Sequence, residues 1–206
     1  MYGIPDVVPV DEAAQTRPIN PYGATKLMVE HILADAKSAS GLNYVALRYF
    51  NVAGADPSGR CGQVIENATN LTKVVYEVVT GKRSSMYING TDYDTPDGTC
   101  VRDYIHVSDL ASAHVNALAY LGGGGDSQIV NVGYGKGYSV LEVIKAMERH
   151  IHSELHTELG PRRPGDPPSV IASNAKAIQL LDWSPKYNDL DLILKSALAW
   201  ERRQFN

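Results

Sequence analysis

Cysteine is scarce: Cys61 and Cys100 stand alone in 206 residues, without CxxC spacing. That excludes a disulfide scaffold and a zinc knuckle, and it suits a reducing, cytoplasmic setting. No apolar run approaches the ~20 residues that a membrane-spanning helix needs. Met1–Pro5 do not read as a signal peptide. Cationic runs are equally wanting: none exceeds two residues, and the formal charge is −4. A surface that tracks nucleic-acid phosphates is therefore not expected, although a local cationic pocket is. No internal repeat is visible. What is present is ordinary for a globular chain, 44% hydrophobic and 20% charged. Length and composition fit one domain, or one domain and part of another.

Strand and helix patterns alternate. The first twenty residues are proline-rich, acidic and non-periodic, an extended loop. Asn20 is placed to cap a helix with Pro21 at its first position, and Gly41 is a suitable stop. Residues 44–54, "YVALRYFNVAG", read as one strand buried on both faces of a parallel sheet. A helix at 70–80 ended by Gly81 and a short strand in "SSMYING" follow. Residues 91–110 read as a loop, with Ser108 capping the helix "DLASAHVNALAYL". After "GGGGD" come the strand "QIVNVG", a capping box at Ser139 and Glu142 for a helix to about 150, and a polar strand at 154–160. Two helices near 174–182 and 189–204 close the chain. The pattern is α/β.

Several features invite chemistry. Gly133-x-Gly135-x-Gly137 follows a strand, but Tyr138 stands where a dinucleotide fingerprint needs its third glycine, so a turn is the better reading. His150, His152 and His156 share no single face, and no metal site is expected there. Arg102 and Arg163 lie in glycine- or proline-rich segments, where a guanidinium suits a diphosphate fork or an ordinary ion pair with Asp103 or Asp166. Tyr22 and Lys26 are four apart on the first helix, on one face with Val29 and Leu33. With 12 Tyr and 9 Lys, chance alone supplies about half of one such pair. Spacing by itself does not separate a reactive phenol from an incidental neighbour.

The motifs "YGIP", "NPYGATK", "LRYFNVAGADPSG", "DGTCVRDYIHVSDLA", "NVGYGKGYSVLEV" and "RRPGD", in that order and over essentially the whole chain, resemble the UDP-glucose 4-epimerases of the extended short-chain dehydrogenase/reductases. Nucleotide-sugar dehydratases and uronate 4-epimerases are close relatives and the alternative reading. The resemblance implies NAD as cofactor and a UDP-hexose as substrate. It makes Tyr22 the acid/base, with Lys26 as its activating cation and a holder of the nicotinamide ribose. Phe50 would touch the cofactor and Asn51 the substrate. Asn70 and Leu71 would face the sugar-diphosphate, and Tyr87, Ile88 and Asn89 would lie under uracil, mainly through backbone groups. Arg102 and Arg163 would clamp the diphosphate, Asp166 would hold the uridine ribose, and Val170 would border the sugar's 2-substituent.

Two departures accompany the resemblance. Nothing matches the family's glycine-rich NAD-binding βαβ unit, nor its Ser or Thr a few residues before the tyrosine. The chain resembles the C-terminal three-fifths of such an enzyme. Residues 1–54 would end a Rossmann-like domain to which 99–137 return, while 55–98 and 138–206 form a smaller substrate-binding α/β lobe. The expectation is an isomerase that is a homodimer at full length, with this chain inactive alone. A non-catalytic UDP-sugar-binding fragment is the competing class.

Overall fold

The computed structural model describes residues 1–65 and 67–203. Its elements run α1 (Pro21–Ser40), β1 (Val45–Tyr49), β2 (Asn51–Ala53), α2 (Leu71–Val79), β3 (Met86–Asn89), β4 (Val101–His106), α3 (Val107–Gly122) and β5 (Gln128–Val132). Then follow β6 (Gly137–Ser139), α4 (Val140–Ile151), β7 (Thr157–Gly160), β8 (Ser169–Val170), α5 (Ala175–Leu181) and α6 (Leu190–Arg203). Among the described residues β1 pairs with β5, β3 with β7, and β4 with β2, β6 and β8; only β4–β6 is antiparallel. The architecture is the expected α/β one.

Local sequence accounts for the helix ends. The Asn20 side chain accepts from the Gly23 N–H at 2.8 Å, and Gly41 turns left-handed at φ 74° to close α1 onto Lys37. Ser139 and Glu142 complete a reciprocal capping box on α4.

Four expectations are corrected. Residues 44–54 are not one strand. The chain changes partners at Phe50, whose N–H reaches the Val132 carbonyl at 3.3 Å, so that β1 lies beside β5 and β2 beside β4. Nor is β1 buried on both faces, for its residues are half-buried and Tyr49 is exposed. The supposed loop 91–110 contains β4, in contact with three other strands. The charges of Arg102 and Asp103 disguised its pattern. Arg102 accordingly sits on a strand.

Ser108 does not cap α3. His106 does, through Nδ1, which accepts the Ser108 N–H at 3.1 Å. That bond assigns the proton to Nε2, which faces Ser196 Oγ at 3.2 Å. Ser196 Oγ also takes the Ala55 N–H and donates to the Ile193 carbonyl. His106 is fully buried and stacks on Tyr187. Gly54, at φ 83°, packs against the same ring, and a Cβ there would meet it at 2.6 Å.

Burial pushes the His106 imidazole below its ordinary value. The unfolded chain therefore binds a proton as pH falls through about 6.5, while the folded protein stays neutral. This contribution to stability is whole above that pH and is lost as pH falls toward the folded-state value. The urea midpoint should be lower at pH 5.5 than at 7.5, and His106→Gln should narrow the gap. An undiminished gap in the variant would contradict the assignment.

Candidate active site

Pro21 and the Asn20 cap place Tyr22 in the first turn of α1, and Lys26 follows one turn on. Lys26 Nζ stands 5.2 Å from the centroid of the Tyr22 ring. Tyr22 is 70% exposed, at the mouth of a cleft of about 560 Å³. Val29 and Leu33 on α1 and Leu47 on β1 give this cleft an apolar wall. Phe50 and Asn51, at the β1–β2 switch, lie beside Arg102 and Val170 on its other side. Six of the residues expected at the site, Tyr22, Lys26, Phe50, Asn51, Arg102 and Val170, thus share one cavity.

A second recess, of about 220 Å³, is lined by Leu71, Tyr87, Asn89, Arg163 and Asp166. The Asn89 amide oxygen, turned toward the guanidinium, accepts from Arg163 Nε and Nη2 at 3.2 and 3.1 Å. A hydrogen bond to Glu158 pushes the Tyr87 phenol above its ordinary value. The two recesses share a wall, because Arg102 of the first faces Asp166 of the second at 3.7 Å. Asn20 Nδ2 also ties the start of α1 to the Gly165 carbonyl at 3.3 Å.

Two expected residues fall outside both recesses. The Ile88 side chain is buried in the core, while its β3 neighbours Tyr87 and Asn89 line the smaller recess together with Arg163. Asn70 bonds the Gln63 side chain and does not cap α2 with its own. Among the described residues no three His, Cys, Asp or Glu side chains cluster as a metal site. His150 is held by Asp191 at 2.9 Å.

The residues that support the site escaped the sequence reading. Arg48 on β1 donates Nε and Nη2 to the two oxygens of Glu30 on α1, each at 2.7 Å. Its Nη1 donates to Tyr2 Oη, which donates in turn to Asn131 on β5. Burial opposes the Arg48 charge, but its bonds to Glu30 and Tyr2 outweigh that and hold it above its ordinary range. One signal was legible: Glu30 is an acid on the inward stripe, one turn beyond Lys26.

Asp103, fully buried on β4, accepts the N–H groups of Tyr134, Gly135 and Ala172 at 2.9–3.2 Å. Burial raises its pKa, and those three N–H groups oppose the rise. It binds the Gly133–Gly135 turn and the segment after β8 to the strand that carries Arg102.

The fold and the cleft define a class: largely parallel-stranded α/β chains of the extended short-chain dehydrogenase/reductase type, here with a Tyr-x-x-x-Lys pair on the helix that lines the cleft. The model of the NAD dependent epimerase/dehydratase family matches residues 1–133. The chain belongs to that family. It is 54% identical over 202 residues to the UDP-glucose 4-epimerase of Azospirillum brasilense, covering 98% of this chain and 58% of that protein. A UDP-glucose 4-epimerase from Bifidobacterium longum, solved in complex with NAD+ and UDP, superposes with a TM-score of 0.93 at 41% identity, over 100% of this chain and 62% of that one. The UDP-Glc/GlcNAc 4-epimerase of Campylobacter jejuni superposes at 0.77 with 48% identity, over 98% and 61%. The chain thus spans about three-fifths of the length of these relatives. No helix among the described residues is long and apolar enough to cross a membrane.

Replacing Asp103 by Asn should cost about 1–3 kcal/mol, since one amide oxygen cannot satisfy three buried N–H donors and its NH2 group opposes them. The loss would appear as a lower urea midpoint, and an unchanged midpoint would show that the clamp carries no energy.

Proposed function

We propose that this chain supplies the acid/base pair and the sugar-nucleotide side of a UDP-glucose 4-epimerase, an NAD-dependent isomerase. One observation carries the reading: the cleft that holds Tyr22 and Lys26 adjoins, through Arg102 and Asp166, a recess with a guanidinium and a strand edge. A sugar reaching Tyr22 would leave its diphosphate at the shared wall and its uridine in the smaller recess.

NAD fits the donor set. An apolar wall with a few convergent polar groups, here the Tyr22 phenol and the Lys26 ammonium, suits a nicotinamide riboside. Lys26, Tyr22 and Phe50 would hold it. When bound, it supplies the redox chemistry at the sugar's 4-carbon. Tyr22 Oη takes the proton of the 4-hydroxyl as that carbon becomes a ketone, and returns it at the end. A phenol needs a neighbouring cation to serve as base near neutral pH, and Lys26 provides it. Arg102 and Arg163 grip the diphosphate while the roomy cleft leaves the pyranose free to turn, so the proton can be returned to either epimer. Asp166 accepts from the uridine ribose, and Asn51 faces the sugar.

In this reading residues 1–54 and 99–137 belong to the nucleotide-binding side, and 55–98 and 138–206 to the substrate lobe. The complete enzyme would be a cytoplasmic homodimer. Exposed Met28 and Ile32 on α1 give it apolar surface to cover.

The test is a chimera in which the unmatched N-terminal part of the Azospirillum relative precedes Met1, assayed with UDP-galactose. Tyr22→Phe should lower turnover by about 10²–10⁴ while UDP and NAD still bind. More than about a tenth of the activity remaining would remove Tyr22 from its role. Turnover of UDP-glucuronate instead, or formation of a 4-keto-6-deoxy sugar, would favour a uronate epimerase or a dehydratase.

Specificity should turn on Val170, half-buried on β8 opposite Arg102 in the larger cleft. Valine is smaller than tyrosine and stiff at χ1. The chimera should prefer UDP-glucose and UDP-galactose yet act detectably on UDP-N-acetylglucosamine. Val170→Tyr should abolish the latter activity and spare the former. Equal loss of both, or no N-acetyl activity at the outset, would show that Val170 is not the gate.

A further inference from the structure

Lys26 and Glu30 are one turn apart on α1, and both line the cleft. On a helix, side chains four apart sit ~5–6 Å from each other at Cβ, and a free Lys–Glu pair at that spacing attracts. Yet Lys26 is found over the Tyr22 ring, 5.2 Å from its centroid, and not on Glu30. Both Glu30 oxygens are already taken by Arg48, in a pair whose two side chains are each 8% exposed. A planar guanidinium fork satisfies a carboxylate in a way that one ammonium cannot.

We infer that Arg48 is a positioning residue for the Tyr22–Lys26 pair: by occupying both oxygens of Glu30 it denies that carboxylate to Lys26 and leaves the ammonium beside the phenol. Its importance for catalysis rests on the function proposed above, but the arrangement itself does not. The same contact locks α1 to β1, and Phe50 lies two residues beyond Arg48. One ion pair therefore sets both the charge balance on α1 and the spacing between the helix and the β1–β2 switch.

Other charged or titratable groups face this cluster. Tyr2, from the N-terminal segment, bonds Arg48, and the Met1 amino group senses both Arg48 and Glu30. Tyr49 on β1 and Arg102 on β4 line the same cleft. All of these are unchanged in the variants below, so differences between variants isolate Arg48, Glu30 and Lys26.

The experiment is a titration of the 206-residue chain carrying ¹³Cζ-labelled tyrosine, with the Tyr22 resonance assigned by its loss in Tyr22→Phe. In Arg48→Met the freed Glu30 should draw Lys26 away. The Tyr22 midpoint should rise by about half a pH unit, the size of one solvent-screened charge at ~5 Å. Arg48→Met combined with Glu30→Gln should restore it. In a Lys26→Met background, Arg48→Met should leave Tyr22 unmoved, because the effect runs through the lysine. No rise in Arg48→Met overturns the inference, and so does a rise that persists without Lys26. Should Arg48→Met fail to fold, Arg48→Lys keeps the positive charge but releases one Glu30 oxygen. It should give a smaller rise in the same direction, and no rise there is equally fatal. If Tyr22→Phe leaves turnover of the chimera intact while these shifts occur, the proposed function fails and the positioning stands.

Discussion

Asp103 holds a fully buried carboxyl group that makes no ion pair among the described residues. A buried group of that kind survives only where hydrogen-bond donors converge on it. Here the donors are backbone N–H groups from two distant segments, Tyr134–Gly135 and Ala172. The geometry leaves no room for a side chain at Gly133, whose Cβ would meet Asp103 Oδ2 at 2.6 Å. The glycine-rich stretch after β5 is thereby explained as a turn folded around an acid. The position of β8 follows, and with it the pairing of Val170 with Arg102 across β4.

Tyr134 extends this arrangement. Its N–H serves Asp103, its hydroxyl donates to Asp109 at 2.5 Å, and the His106 N–H donates to that same hydroxyl. Asp109 further accepts the N–H groups of Lys186 and Tyr187, which brings the segment before α6 against the start of α3. Satisfied polar networks of this kind tolerate few alternative arrangements, because each broken bond strands a buried partner. Adjacent residues on β4 accordingly divide the labour. Asp103 faces inward and fixes the backbone, while Arg102 faces the cleft and meets Asp166.

Helix α1 is held differently. It is largely exposed on its outer side, and its grip on the sheet comes from Arg48 and Glu30. A buried ion pair contributes little net stability compared with a hydrophobic substitute, yet it tolerates almost no change in orientation. That suits a helix that carries Tyr22 and Lys26 at the lining of a cleft. The Lys73–Glu201 pair, also buried, does the same between α2 and α6.

Local chemistry made much of this legible from sequence. The Asn20–Pro21 start and Gly41 stop of α1, the capping box on α4 and the α/β alternation depend on contacts within a few residues, so pattern alone could read them. The stripe of Tyr22, Lys26, Val29 and Leu33 was likewise visible, because helical periodicity is local. Strand β4 was not, since its pattern is interrupted by one residue facing the cleft and one buried acid whose donors lie some 30 and 70 positions away. The break at Phe50 was hidden for a similar reason: a strand changes partners only because β4 and β5 offer different edges. The order of residues thus determined where α1 begins and ends, where α4 starts, and that Tyr22 and Lys26 share one face of a helix. Only the tertiary structure decided that Asn70 and the Ile88 side chain stand outside the recesses, that Asp103 is a clamp and not a partner for Arg102, and that Glu30 belongs to Arg48. Each of these depends on which distant backbone or side chain arrives at a buried charge, and spacing along the chain carries no record of that.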